Sequence, residues 1–208
     1  MRSPKFLKGF VENGCSVICT NANSLFNKKD ELWRLIEERK AHIVAITEVM
    51  AANKRDIDTS ELSFLGYDGF FNLVPVLGVA IYVKSEGHAQ PCEVLNSKMF
   101  SESIWCSFET EVGSMLIGCV YRSPNSDAGN NNDLLELLHD ASNQSFDYLL
   151  IMGDFNYPGI RWDGTFVGGK EGEFVDCLQE SYLLQMVRQP TTFRQGQTPK
   201  HSGFSIGQ

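Results

Sequence analysis

The apolar run Tyr148-Leu149-Leu150-Ile151-Met152, closed by Gly153-Asp154-Phe155-Asn156, restricts this chain's fold more than any other stretch. It reads as a buried strand that ends in an acid, with a carboxamide two residues later. Side chains alternate along extended backbone, so Asp154 and Asn156 lean the same way if strand geometry continues through Phe155. Gly153 permits close approach of backbone or ligand. A carboxylate beside an amide suits a hard cation and a phosphate. The same residues also suit an Asx turn after a strand. These four positions alone leave both readings open.

Two further apolar runs end in a polar side chain. Asn21 follows Val17-Ile18-Cys19-Thr20, and Glu48 follows Ile43-Val44-Ala45-Ile46-Thr47. A fourth run, Met115 to Val120, ends in Tyr121-Arg122. Each is ordinary alone, since a Glu after a strand is usually solvated and a Tyr usually sits at a rim. Their recurrence matters because strand ends in one layered domain can converge on one cleft.

The rest of the chain supplies the layers. Helices are expected over Lys28–Glu38, from Asn131 or Asn132 to about Ala141, and over Glu173–Tyr182. Strands are expected at Ser16–Thr20, His42–Thr47, Tyr67–Asn72, Gly78–Lys84, Ser103–Glu109 and Ser114–Tyr121, the last two as a hairpin. Met50–Ser63 reads as a polar loop, and the chain from Gln189 onward as weakly structured. Hairpins with interspersed helices indicate an α+β fold.

With 208 residues, 42% of them hydrophobic, the chain can bury one substantial core. Its net charge of −8 argues against a passive DNA-binding module, which is usually basic, and leaves room for a metal-dependent phosphoesterase with acidic ligands. The six cysteines form no Cys-x-x-Cys pair, which disfavours zinc and fits a reduced compartment. Met1–Phe10 lacks the apolar core of a signal peptide, and no run is long enough to span a bilayer. The expectation is an intracellular protein, nuclear or cytoplasmic and not secreted, with no membrane association.

Five segments in order carry a resemblance: Thr20-Asn21-Ala22-Asn23-Ser24-Leu25, Ile46-Thr47-Glu48, Gly78 to Val83, Tyr121-Arg122-Ser123-Pro124 and Gly153-Asp154-Phe155-Asn156-Tyr157-Pro158. Together they resemble the endonuclease/exonuclease/phosphatase superfamily, most closely the apurinic-endonuclease-like domain of LINE-type (non-long-terminal-repeat) retrotransposons. Tyr157 to Trp162 and Gln189-Pro190-Thr191-Thr192 are typical of that branch.

The resemblance covers residues 15–199, between a lead-in at 1–14 and a divergent tail at 200–208. It implies a four-layer α/β sandwich, DNase I-like, of two mixed sheets flanked by helices and lacking the final strands. It also implies Mg²⁺- or Mn²⁺-dependent cleavage of DNA phosphodiesters, with no small-molecule cofactor. Carried over by position, Glu48 is the principal metal ligand with Asn21 beside it. Asp154 orients or activates the attacking water. Asn156 and Tyr121 hold the scissile phosphate, and Arg122 is a further candidate phosphate contact. These donors match the chemistry. Mg²⁺ takes oxygen ligands and keeps several waters, and neutral Asn and Tyr grip phosphate without cancelling the metal's charge.

The sequence departs from the family after the Thr-rich segment. The family expects a strand with a further Asp and then a Ser-Asp-His ending, whereas no acid follows Glu180 here. His42, His88, His139 and His201 do not replace the lost histidine. Loss of general acid–base help, roughly 10²- to 10⁴-fold, predicts impaired turnover. Absence of the last strands predicts an exposed sheet edge. Two alternatives stand beside the nuclease: a cellular phosphatase or deadenylase of the same superfamily, and a catalytically dead interaction module. Oligomeric state is not legible in the sequence.

Overall fold

Two strand–helix–strand units form the frame of the molecule. In the computed structural model, residues 14–50, 58–73, 77–110, 112–160, 168–186 and 203–207 are described. The first unit is β1 (Val17–Asn21), α1 (Lys29–Arg39) and β2 (Ile43–Thr47), with β1 and β2 parallel. β3 (Tyr67–Asn72) and β4 (Val79–Lys84) follow, giving a four-stranded sheet in the order β1-β2-β4-β3.

The second sheet takes in β5 (Gln90–Pro91), β6 (Ser103–Thr110) and β7 (Gly113–Tyr121), with the short helix α2 (Glu93–Asn96) between β5 and β6. β6 and β7 form the expected hairpin. The second unit then runs from β7 through α3 (Ala128–Ser142) to β8 (Tyr148–Asp154), again with parallel strands. After α4 (Gly169–Glu180) come β9 (Leu184–Gln185) and β10 (Gly203–Gly207), and the six-stranded order is β5-β6-β7-β8-β10-β9. Parallel neighbours need a crossover of this kind, and its consequence is that both carboxyl ends lie at one edge. Asn21 is in register with Thr47, and Tyr121 with Asp154.

Burial follows the period-two alternation of the strands. Ile43, Ala45, Val79, Ile81 and Val83 of the first sheet pack against Ile104, Cys106, Ile117, Cys119 and Met152 of the second. The opposite faces are covered by helices. Val44, Ile46 and Ala80 meet Leu32 and Ile36 of α1. Leu116, Val120, Leu149 and Ile151 meet Leu134, Leu138, Phe174 and Leu178 of α3 and α4. Helix, sheet, sheet and helix make the four expected layers, and the fold is α+β.

Several boundaries differ from the sequence reading. Helix α3 begins earlier because Asp127, not Asn131 or Asn132, caps it by accepting from the Asn130 N–H at 2.8 Å. Asn131 lies inside the helix and is buried. Helix α4 starts at Gly169 and stops at Glu180, before Tyr182, which is left-handed with φ +55°. Strand β8 has a further neighbour beyond β7. Strand β10 pairs antiparallel with β8, Gly203 opposite Asp154 and Gly207 opposite Leu150. Residues 51–57 of the predicted loop, Arg161 and Trp162 of the branch-typical extension, and Gln189–Thr192 lie outside the described residues. Among the described residues no helix is long and apolar enough to cross a membrane.

Candidate active site

The four runs singled out in the sequence are β1, β2, β7 and β8, and their carboxyl ends meet. Asn21 closes β1. Its Oδ1 accepts from the Asn23 N–H at 3.0 Å, and its Nδ2 donates to Asp154 Oδ2 at 3.5 Å, across from one sheet to the other. Glu48 follows β2 in a left-handed conformation, φ +52°. For a side chain of this size that backbone is strained and persists only when neighbours hold it. They do: the Glu48 carbonyl accepts from Ser24 N–H at 2.9 Å, and next to it Val49 N–H donates to the Gly78 carbonyl at 3.2 Å.

Tyr121 ends β7, buried to 6% exposure. The Glu48 carboxylate is near enough to act on its hydroxyl. Burial first, and then the charges of Glu48, Asp154 and Glu102, push the phenol well above its usual range, so it stays a proton donor at every working pH. Asp154 ends β8. Burial raises its carboxyl to about 6, the charge of Glu48 adds to the rise, and the Asn21 amide and Asn156 N–H pull against it. Its Oδ1 is buried and has no hydrogen-bond partner.

Gly153 makes this end possible. Its φ is +140°, and a Cβ there would stand 1.8 Å from the Val120 carbonyl oxygen. The close approach expected of this glycine is therefore an approach of backbone, and it lets β8 lie tight against β7.

Strand geometry does not continue through Phe155, contrary to one sequence expectation. Phe155 turns into the helix-side core, fully buried. Asn156 is left-handed, φ +50°. Its Nδ2 donates to the Arg122 carbonyl at 2.7 Å.

Arg122 corrects the sequence reading outright. It is fully buried, so it is not a surface phosphate contact. Its Nε donates to Asn131 Oδ1 at 2.7 Å, and its Nη1 to the carbonyls of Asn156 at 2.9 Å and Phe155 at 3.4 Å. The strand that ends at Tyr121 masked this, because an Arg after a strand normally reads as solvated.

Glu102 was missed. It precedes β6, its carbonyl accepts from Tyr121 N–H at 2.9 Å, and burial raises its carboxyl. Nothing in Ser101-Glu102-Ser103 distinguishes it from a solvated loop acid; only the pairing of β6 with β7 reveals it. Two of the histidines are held in structural contacts. His42 Nδ1, for example, accepts from Ser16 N–H at 3.0 Å.

The donor set fits a hard divalent cation. It is all oxygen, two carboxylates beside an amide, with one carboxylate oxygen orphaned in a buried position. Among the described residues no group of three or more His, Cys, Asp or Glu that could hold a metal ion is present. A separate pocket of about 220 Å³, lined by Glu86, His88, Gln90, Ser107, Phe108 and Glu109, lies towards the opposite end of the sheet and contains none of these groups.

A family model described as "Endonuclease-reverse transcriptase" matches residues 115–202, the span of β7, α3, β8 and α4. Over that span the chain is similar to the endonuclease/exonuclease/phosphatase superfamily. Among solved structures, the chain is similar to the endonuclease domain of TRAS1, a telomere-specific non-LTR retrotransposon, at TM-score 0.68 and 15% identity, covering 91% of this chain and 82% of that one. It is also similar to the AP endonuclease LMAP from Leishmania major, TM-score 0.71, 13% identity, 93% and 78% covered. A third is the 3′ phosphatase NExo from Neisseria, bound to a product DNA hairpin, TM-score 0.65, 14% identity, 92% and 85% covered. At these identities the structural likeness establishes the DNase I-like fold. No curated protein matches the sequence.

Proposed function

We propose that this domain is a divalent-metal-dependent phosphodiesterase acting on DNA, of the LINE-type retrotransposon kind. The observation that carries the reading is the meeting of Asn21, Glu48, Tyr121 and Asp154 at one edge of the sandwich, with Asp154 Oδ1 unpartnered. The family description and the likeness to the TRAS1 endonuclease domain support the retrotransposon branch. Six free cysteines support action inside the cell.

Glu48, with Asn21 beside it, would hold Mg²⁺ or Mn²⁺, which when bound acts as a Lewis acid on a phosphate oxygen. Asp154, ionised above about pH 6, orients the attacking water and accepts its proton. Tyr121, held protonated, donates a hydrogen bond to the phosphate, and Asn156 offers the second hydrogen of its Nδ2. Each is a neutral donor that leaves the cation's charge undiminished.

One observation favours slow turnover. The strand beside β8 expected to bring a further Asp is present as β10, but it reads Gly203-Phe204-Ser205-Ile206-Gly207 and contains no acid. Metal-dependent nicking of supercoiled plasmid tests the reading. Slow nicking that disappears in Glu48→Ala supports it. Equal rates in wild type and Glu48→Ala, or hydrolysis of a free phosphomonoester in preference to DNA, would overturn it.

A further inference from the structure

Arg122 is an expensive residue for its place. It is fully buried, its Nη2 has no hydrogen-bond partner, and among the described residues no carboxylate forms a salt bridge with it. Its guanidinium lies over the Tyr157 ring at 4.1 Å, and Asn131 Oδ1, which receives its Nε, also accepts from the Tyr157 hydroxyl at 3.3 Å. A buried charge paired only with neutral groups contributes little net stability, and an apolar side chain of similar volume would often do better.

Every other contact Arg122 makes points to residues 154–156. Its N–H donates to the Asp154 carbonyl at 2.8 Å. Its Nη1 donates to the carbonyls of Phe155 and Asn156. Its own carbonyl accepts from Asn156 Nδ2. Asn156 meanwhile has a left-handed backbone, which a non-glycine residue keeps only when its surroundings over-determine it.

We propose that Arg122 is a positioning residue. From behind the site, its planar fork clamps the Phe155 and Asn156 carbonyls, holds Asn156 left-handed, and so aims the Asn156 carboxamide at the phosphate. The inference rests on the assignment of Asn156 to the phosphate. Lysine cannot replace it, because a point charge on a flexible stem cannot bond Asn131 and two carbonyls while stacking on Tyr157.

The test is a double-mutant cycle of Arg122→Lys and Asn156→Ala, read as plasmid-nicking kcat and KM, beside a crystal structure of Arg122→Lys. Misplacing a contact group costs about 10- to 100-fold in kcat. Arg122→Lys is expected to lose about that much with a smaller change in KM, and Asn156→Ala likewise. Because one acts through the other, the double variant should be no worse than Asn156→Ala alone. Losses that multiply overturn the proposal. So does an Arg122→Lys structure in which Asn156 keeps its left-handed backbone and its side-chain bond to the residue 122 carbonyl. That structural outcome is readable whether or not the protein nicks DNA. A wild type without metal-dependent nicking therefore refutes the proposed function, while the variant structure still decides the clamp.

Discussion

Strand β8 is bracketed by two aspartates with opposite surroundings. Asp147, just before it, accepts from the Ser114 N–H at 2.7 Å and the Ser114 hydroxyl at 2.9 Å. Those bonds hold its carboxyl below the ordinary range. Asp154, at the other end, is raised to about 6 by burial and by Glu48, and has an oxygen with no partner. The first is a structural tie between β7 and β8. The second is a cost to the fold, of the kind that persists where a ligand is to be received. One residue type, seven positions apart in chain order, serves stability at one end of a strand and, under the proposed function, chemistry at the other.

The largest expected effect falls at the site end. Asp154→Asn should reduce metal-dependent nicking by at least about 100-fold, as should Glu48→Ala, measured as the initial rate of open-circle formation. Retained nicking in either variant would erase the distinction between the two aspartates.

Next in size is Gly153→Ala, which should destabilise the fold by roughly 3 kcal/mol or more in urea unfolding. The new methyl would collide with the Val120 carbonyl, and φ of +140° strains any side chain. A small effect would mean that β7 and β8 are not held this close at the site end.

Asp154→Asn should also stabilise the metal-free protein, by up to about 3 kcal/mol at pH 8, since each tenfold change in proton affinity is worth about 1.4 kcal/mol. The sign follows from a folded pKa raised from 3.8 to about 6. The folded state binds the proton more tightly, so the penalty of the ionised carboxylate builds as pH rises through that window. Below pH 3.8 the variant's advantage should vanish. Thermal unfolding at about pH 3.5 and about pH 8 measures both limits, and a destabilised variant at the higher pH would contradict the account.

The smallest effect belongs to Asp147→Asn, with the opposite sign. Its folded pKa is depressed, so its stabilising contribution is present above the unfolded value and is lost as pH falls through the folded one. The variant should melt slightly lower than wild type at neutral pH and match it in strong acid. Equal melting at neutral pH would show the Ser114 bonds to be worth nothing in solution.

Much of the frame was legible because burial on both faces leaves an unmistakable mark. Ile43–Thr47 and Tyr148–Met152 are runs that little else explains, and the polar residue after each marks the carboxyl end of a strand. Asn21, Glu48, Tyr121 and Asp154 were found on that basis, and the structure brings them together. Arg122 was misread because adjacency in sequence says nothing of which way a side chain turns; the path of Phe155 into the helix-side core draws the whole 122–156 contact inward. Glu102 was invisible for the complementary reason, being defined by strand pairing alone. Strand β10 carries three small residues among its five, Gly203, Ser205 and Gly207, and so lacked the apolar run by which β8 was recognised. Helix α3 was placed late because Asp127 and the asparagines that follow it are all plausible caps.

The central claim is that Glu48 and Asp154, from two different sheets, serve a single divalent ion. Crystals soaked in Mn²⁺ and measured for anomalous scattering test it most directly. The account predicts one strong peak within bonding distance of a Glu48 carboxylate oxygen, beside Asn21 and Asp154, and none there in Glu48→Ala. A wild-type map without density between these residues, or with manganese bound elsewhere only, would contradict it.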